Sequence, residues 1–129
     1  MDSRVERQDA PHGVSVSLLC KHNKAQPVGK LKWMFTGAVT GGNGSERLIY
    51  YLVRGDHPKV FRNSVVFDGD AELGDASIAL VNVTEEDTGL YSCIMELDET
   101  NGDKHVHCYW LAVMPPGERE REILRLFSR

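Results

Sequence analysis

The chain has 129 residues, of which 41% are hydrophobic and 26% charged, and its formal net charge is −4 at pH 7. A chain of this length folds as one domain and buries about two-thirds of the surface that the unfolded chain exposes. Its basic residues are scattered, which does not favour a nucleic-acid partner. No apolar run approaches the roughly 18 residues that a membrane span requires.

The first third of the chain predicts two half-buried strands. Residues 2–11 are polar and irregular, and we expect a loose start that leads into an edge strand. Beyond them, hydrophobic residues recur at every second position in two stretches, which is the pattern of strands with one buried face. The expected inward residues are Val14, Val16, Leu18 and Cys20 in the first stretch and Leu31, Trp33 and Phe35 in the second, where Lys32 and Met34 face outward.

The middle of the chain predicts three further strands. Four glycines within residues 37–46 indicate a flexible hairpin tip, and the following segment Arg47–Val53 is predicted to be a strand. After a turn at residues 54–59, we expect strands at Val65–Phe67 and at residues 77–81.

The last third predicts a crossing to the other sheet and a closing hairpin. Residues 83–87 are expected to cross, and residues 90–97 form a strand. Asn101-Gly102 is a favoured hairpin turn, so residues 105–114 are expected to return as a strand.

A charged segment follows the closing strand. A segment as short as residues 117–129 forms at best a marginally stable helix on its own. An amphipathic helix and a disordered stalk are therefore both possible structures for it. We therefore predict a domain at residues 1–116 and a charged stalk or tail at residues 117–129.

Four residues define the fold class. Trp33 follows Cys20 by 13 residues, and Tyr91 precedes Cys93 by two, which is the constellation of an immunoglobulin sandwich. The predicted strand at Arg47–Val53 favours the nine-stranded variable type over the shorter constant type. We predict an all-β V-set sandwich of two antiparallel sheets with Greek-key connections. The Cys20–Cys93 disulfide would cross-link the sheets, Trp33 would pack against it, and Tyr91 would tie the corner near Asp87 to the backbone.

The predicted disulfide has a consequence for localisation. Such a bond needs an oxidising compartment, yet the first four residues lack the apolar stretch of a secretory signal. We expect the mature extracellular portion of a longer protein, with any signal and membrane anchor outside this sequence.

Several segments resemble a known family. The stretch from Asp75 to Thr84, followed by Asp87-Thr88-Gly89-Leu90-Tyr91-Ser92-Cys93, is similar to voltage-gated sodium-channel beta subunits and next to the myelin protein zero family. The resemblance covers roughly residues 14–114. It implies an ectodomain that mediates cell adhesion, often homophilic, or that modulates an ion channel as an accessory subunit.

The resemblance has departures. Lys21-His22-Asn23 offers none of the extra cysteines of those beta subunits. The arginine that many V-set domains pair with the aspartate before Tyr-x-Cys aligns with Ser64. Arg62 lies two residues earlier on the same face, and we expect it to pair with Asp87 instead.

One sheet is predicted to carry an apolar outer patch. If Leu111 and Val113 face the core, strand alternation turns Cys108 and Trp110 outward on the sheet of the G, F, C and C′ strands. By the same count, Met34 and Ile94 point the same way. Exposed apolar patches mark partner surfaces, and we expect a protein interface with Cys108 inside it or bridging two chains. The alternative is a β-bulge that buries Cys108.

Two triplets match the N-glycosylation acceptor pattern. These are Asn43-Gly44-Ser45, in an expected loop tip, and Asn82-Val83-Thr84. The second lies where the resembling family implies a glycan.

No residue pattern favours catalysis or a cofactor. His105 and His107 share a strand face but lack further metal ligands at a recognisable spacing, and no nucleophile elbow, phosphate loop or zinc-protease motif occurs. We therefore expect a non-enzymatic protein without metal or cofactor. Its function would be recognition of a protein partner, either as a homophilic dimer or with a channel subunit. The alternative is an immune-type receptor or soluble decoy that binds its ligand through loops at residues 25–30 and 98–103.

Overall fold

In a computed structural model of the chain, residues 4–38, 46–97 and 104–115 are described. These residues form nine strands and two short 3-10 turns, at Ala71–Leu73 and Glu85–Asp87. The strands are β1 (Val5–Pro11), β2 (Val16–Leu18), β3 (Val28–Gly37), β4 (Arg47–Val53), β5 (Lys59–Val60), β6 (Val65–Phe67), β7 (Ile78–Leu80), β8 (Gly89–Leu97) and β9 (Lys104–Met114).

The strands form the two packed sheets that were expected. The first sheet has six strands in the order β1-β9-β8-β3-β4-β5, and the second has three in the order β2-β7-β6. The predicted immunoglobulin V-set sandwich is confirmed. One pair departs from the antiparallel rule, because β1 runs parallel to β9, from Val5 opposite Cys108 to Pro11 opposite Met114. The expected loose start is thus a seven-residue edge strand.

The chain changes sheets at a turn that the alternation pattern did not show. Gly13 has a φ of 90°, a conformation that glycine adopts without strain, and its N–H donates to the carbonyl oxygen of Val83 at 2.7 Å. Val14 lies in this crossing and is 36% exposed, so its expected inward position is wrong. The other three inward residues of that stretch, Val16, Leu18 and Cys20, are buried.

A β-bulge in β4 determines which side chains face outward there. Trp33 pairs with Tyr50, whereas the next residue, Met34, pairs with Leu48. Ile49 is therefore an extra residue on β4, and Ile49 and Tyr50 are both buried. The extra residue leaves Leu48 opposite Met34, on the face that points away from the second sheet.

A hydrogen-bond network ties the start of β7 to Cys20. The Asp75 carboxylate oxygen Oδ1 accepts hydrogen bonds from the backbone N–H of Ser77 at 3.1 Å and from its hydroxyl at 2.6 Å. The buried Ser77 hydroxyl in turn accepts the N–H of Cys20 at 2.9 Å. The stretch that carried the family resemblance therefore holds the first cysteine in place.

Candidate functional site

The fold-defining residues lie in the core between the sheets. Cys20 and Cys93 form the expected disulfide, with their Cα atoms 6.5 Å apart. Trp33 is fully buried, and its indole N–H donates to the carbonyl oxygen of Ala76 at 2.8 Å. Because these groups are enclosed and satisfied, their role is to stabilise the sandwich.

A partly buried ion pair closes the corner before β8. Arg62 pairs with Asp87, as expected from the sequence, and the Arg62 guanidinium lies 4.6 Å from the centre of the Phe35 ring. Asp87 also accepts the backbone N–H of Thr84 at 2.8 Å. The hydroxyl of Tyr91 donates to the Asp87 carbonyl oxygen at 2.7 Å. Burial raises the pKa of Tyr91, and the nearby Arg62 only partly opposes this rise.

The side of the first sheet that points away from the second sheet is here called the recognition face. Strand pairing arranges its side chains in transverse rows, and the central three rows are largely apolar. They consist of Val5, Cys108, Ser92, Met34 and Leu48; of Arg7, Trp110, Leu90 and Thr36; and of Val106, Ile94, Lys32 and Tyr51.

The register of β9 places Cys108 on this face. Tyr109, Leu111 and Val113 are buried, so the intervening residues Cys108 and Trp110 point outward. The pairing of β8 with β9 runs without a register shift, and the alternative bulge is therefore not present. Cys108 is a half-buried free thiol whose Sγ lies 3.6 Å from the Ser92 hydroxyl oxygen.

The structure brings together the four residues that the sequence analysis assigned to an interface, Met34, Ile94, Cys108 and Trp110, and adds others to them. Leu90 and Val106 follow from the same alternation and were missed. Leu48 belongs to the face only through the bulge in β4. The parallel pairing of β1 contributes Val5. The last two placements depend on pairing between distant segments and have no local sequence pattern.

Three histidines lie away from the recognition face. His105 and His107 are on the other side of β9, and His22 lies beside His105. The rings of His22 and His105 are 5.2 Å apart, and Nε2 of His107 lies 2.7 Å from Oε1 of Glu6. Burial lowers the pKa of His105, and the neighbouring His22 and His107 lower it further. Within the described segments, no three His, Cys, Asp or Glu side chains are arranged to hold a metal ion.

The two acceptor asparagines differ in what the structure shows. Asn82 is exposed and has a φ of 56°. Asn43, the Asn101-Gly102 turn and residues 117–129 lie outside the described residues. In the part of the chain that the structure describes, no helix has the length and apolar character needed to cross a membrane.

Comparison with known proteins identifies the family. Residues 5–114 match the model of the immunoglobulin V-set domain, and the chain belongs to this family. In Mus musculus, sodium channel regulatory subunit beta-3 is 28% identical over 92 residues, which cover 66% of this chain and 40% of that protein. Trem-like transcript 1 protein, also from Mus musculus, is 32% identical over 132 residues, which cover 94% of this chain and 36% of that protein.

A solved structure shows the same fold. Tim-1 superposes with a TM-score of 0.68 at 20% identity, over 90% of this chain and 97% of that one. The resemblance to sodium-channel beta subunits is thus confirmed at the level of a related V-set domain. Since the chain spans well under half of both curated relatives, it corresponds to one part of each of them.

Proposed function

We propose that this domain is the extracellular recognition module of a cell-surface protein and that it binds a second copy of the chain through the recognition face. In this function it acts in cell adhesion, or it contacts a channel subunit as an accessory chain through the same face. The observation that carries the proposal is the set of largely apolar side chains on the central rows of the first sheet.

The charges around that surface support a protein interface. Next to the central rows, Lys104, Glu96 and Lys30 form a charged row across β9, β8 and β3. At the edge strand β1, Arg7 and Asp9 form an exposed ion pair at 3.0 Å. An apolar centre with a polar rim of both signs is the usual anatomy of a protein interface. Because a two-fold dimer uses the same patch on both chains, a rim of both signs allows each charge to meet an opposite one.

Cys108 lies near the middle of this surface, and its thiol raises the question of whether the contact between two chains is covalent. In the proposed contact the thiol is a small apolar group, as free cysteines often are. Non-reducing electrophoresis of the wild type and of Cys108→Ser tests an interchain bridge. A dimer band that persists in Cys108→Ser rules out a Cys108–Cys108 bond, and a band that disappears shows that the contact is covalent.

A second candidate function is an immune-type receptor or soluble decoy. It is favoured by the similarity to Trem-like transcript 1 protein, which extends over 94% of this chain. In that case the ligand would bind through the loop tips, and the apolar face would be secondary.

Sedimentation over a range of protein concentrations separates the two functions. We expect a monomer–dimer equilibrium that Trp110→Arg abolishes, because the guanidinium would be buried without a partner in the contact. The matched control is Val66→Arg on the outer side of the second sheet, where Val66 is 49% exposed. A chain that stays monomeric at high concentration and binds a foreign protein through its loops would favour the receptor function.

A further inference from the structure

The three histidines His22, His105 and His107, here called the histidine row, join β9 to the loop that follows β2. The ring centres of His22 and His105 are 5.2 Å apart, those of His105 and His107 are 6.3 Å apart, and His107 stacks on Tyr109 at 4.9 Å. The Tyr109 hydroxyl donates to the carbonyl oxygen of Leu19 at 2.5 Å. A continuous line of rings therefore spans the gap between the two sheets at the end where β9 begins.

Residues 21–27 form a loop whose turn depends on one side-chain atom of the histidine row. The N–H of His22 donates to the carbonyl oxygen of Gly74 at 2.9 Å, and the N–H of Gln26 donates to that of Lys24 at 2.8 Å. Between them, the N–H of Lys24 donates to Nδ1 of His22 at 3.0 Å. A Cβ at Gly74 would lie 2.8 Å from the Lys24 carbonyl oxygen, so the loop packs closely on the turn at Gly74.

The hydrogen bond from Lys24 requires the neutral ring of His22. A backbone N–H only donates, so Nδ1 of His22 is the acceptor and Nε2 carries the hydrogen of the neutral ring. A second proton binds Nδ1 and turns it into a donor, which leaves the N–H of Lys24 without this acceptor. His107 is the opposite case, because its Nε2 lies 2.7 Å from Oε1 of Glu6. A carboxylate accepts, so protonated His107 retains this contact.

The surroundings hold no free carboxylate that could retain a charged His22 ring. In the segment at residues 70–75 and on β1, every carboxylate already has a partner. These pairs are Asp70 with the N–H of Glu72, Glu72 with Arg54, Asp75 with Ser77, Glu6 with His107 and Asp9 with Arg7.

The remaining charged groups near the loop do not offer a new partner either. Lys21 and Lys24 on the loop itself are cations, and Lys104 and Glu96 point to the recognition face. Nε2 of His105 is buried and has no hydrogen-bond partner among the described residues. A positive charge on His22 therefore gains no contact that would replace the lost hydrogen bond.

We propose that the loop at residues 21–27 is an acid-sensitive latch, in which proton uptake at Nδ1 of His22 opens the turn beside Gly74 while the contact between His107 and Glu6 keeps β1 in place. The proton comes from solvent, and the N–H of Lys24, which is exposed, then binds water. Histidine is the side chain that changes charge between about pH 5 and 8. The latch lies away from the recognition face, and the inference does not rest on the proposed function.

Amide hydrogen exchange of the full chain, followed by NMR at about pH 7.5 and about pH 5.5, tests the latch. After correction for the intrinsic pH dependence of exchange, we expect the protection of the Lys24 amide to fall about fivefold at the lower pH, as for the loss of one hydrogen bond. The reference is the N–H of Val81, which donates to Ser64 and should keep its protection. Imidazole nitrogen shifts that show Nδ1 of His22 protonated at the higher pH would overturn the inference.

Three variants separate His22 from the rest of the histidine row. In His22→Asn, the side-chain oxygen accepts the N–H two residues on and does not titrate, so the Lys24 amide should be protected equally at both pH values. His22→Ala should show low protection at both. His107→Gln is the matched control, since it removes a titrating ring, retains a donor towards Glu6 and should show the fall of the wild type.

Two results would contradict the latch: no fall in the wild type, or a fall in His22→Asn as large as in the wild type. In either case the proposed function stands if Trp110→Arg still abolishes self-association. Conversely, a chain that does not self-associate but loses protection at Lys24 in acid retains the latch and loses the proposed function.

Discussion

The ion pair between Arg62 and Asp87 gives the sharpest test of the packing. The two side chains are 23% and 8% exposed, so most of their charge is removed from water. Breaking a fully buried pair costs about 3 to 5 kcal/mol, and an exposed pair contributes at most about 1 kcal/mol. Because Arg62 is partly exposed, we expect the free-energy cost of breaking this pair to lie below the middle of the range for fully buried pairs. The contact with the Phe35 ring adds up to about 1 kcal/mol. We expect Arg62→Met to lower the free energy of unfolding by about 3 kcal/mol.

Urea denaturation with the disulfide intact measures this loss. For a domain of this size the expected decrease in melting temperature is about 12 °C. Asp87→Asn and the double variant complete a thermodynamic cycle, in which we expect a coupling energy above about 1 kcal/mol. The matched control is Arg7→Met, since the Arg7–Asp9 pair is 67% and 65% exposed and should contribute less than about 0.5 kcal/mol. If Arg62→Met destabilises the domain no more than Arg7→Met, the reasoning from burial is wrong.

Two further predictions concern a close backbone contact and the half-buried side chain of His105. A Cβ at Gly89 would lie 2.3 Å from the carbonyl oxygen of Thr36, whereas one at Gly55 meets nothing within 4 Å. In urea denaturation we therefore expect Gly89→Ala to cost more than about 2 kcal/mol and Gly55→Ala about 1 kcal/mol, and the opposite order would contradict the close approach. Since the folded pKa of His105 lies below 6.5, the unfolded chain binds this proton first, and the free energy of unfolding should fall as the pH decreases through 6.5. Denaturation at about pH 7.5 and about pH 5.5 should show a smaller fall in His105→Gln than in the wild type, and an equal fall would refute the assignment.

The strands that the sequence predicted well are those with local evidence. The bounds of β4 and β6 agree with the prediction, and β8 and β9 start one residue earlier than expected. The buried and outward sides of β8 and β9 follow from alternation. β5 was missed, and its first residue lies in the predicted turn at residues 54–59. It is only two residues long and pairs with β4 at both of them. So short a strand leaves no periodic pattern.

The errors come from interactions between distant segments. The parallel pairing of β1 with β9 joins the two ends of the domain, and nothing near Val5 in the sequence indicates it. The alternation of buried residues at Val16 and Leu18 was extended back to Val14. Val14 follows directly after the turn at Gly13, where the chain is still crossing between the sheets, and so its side chain does not face the core. The extra residue in β4, Ile49, could be identified only once Trp33 and Met34 had their partners.

The residues that made the family recognisable are not those that distinguish its members. Cys20, Cys93, Trp33 and Tyr91 are fully buried, so a partner cannot contact them, and any V-set domain needs them for the same packing reasons. In the contact proposed above, specificity comes from the alternate positions on the same strands, where the core sets only the direction of the side chain. Trp110 is such a position, because its neighbours Tyr109 and Leu111 are held in the core. The core thus fixes a large aromatic side chain on the recognition face, and under the proposed function we expect a substitution there to change binding while the fold is retained.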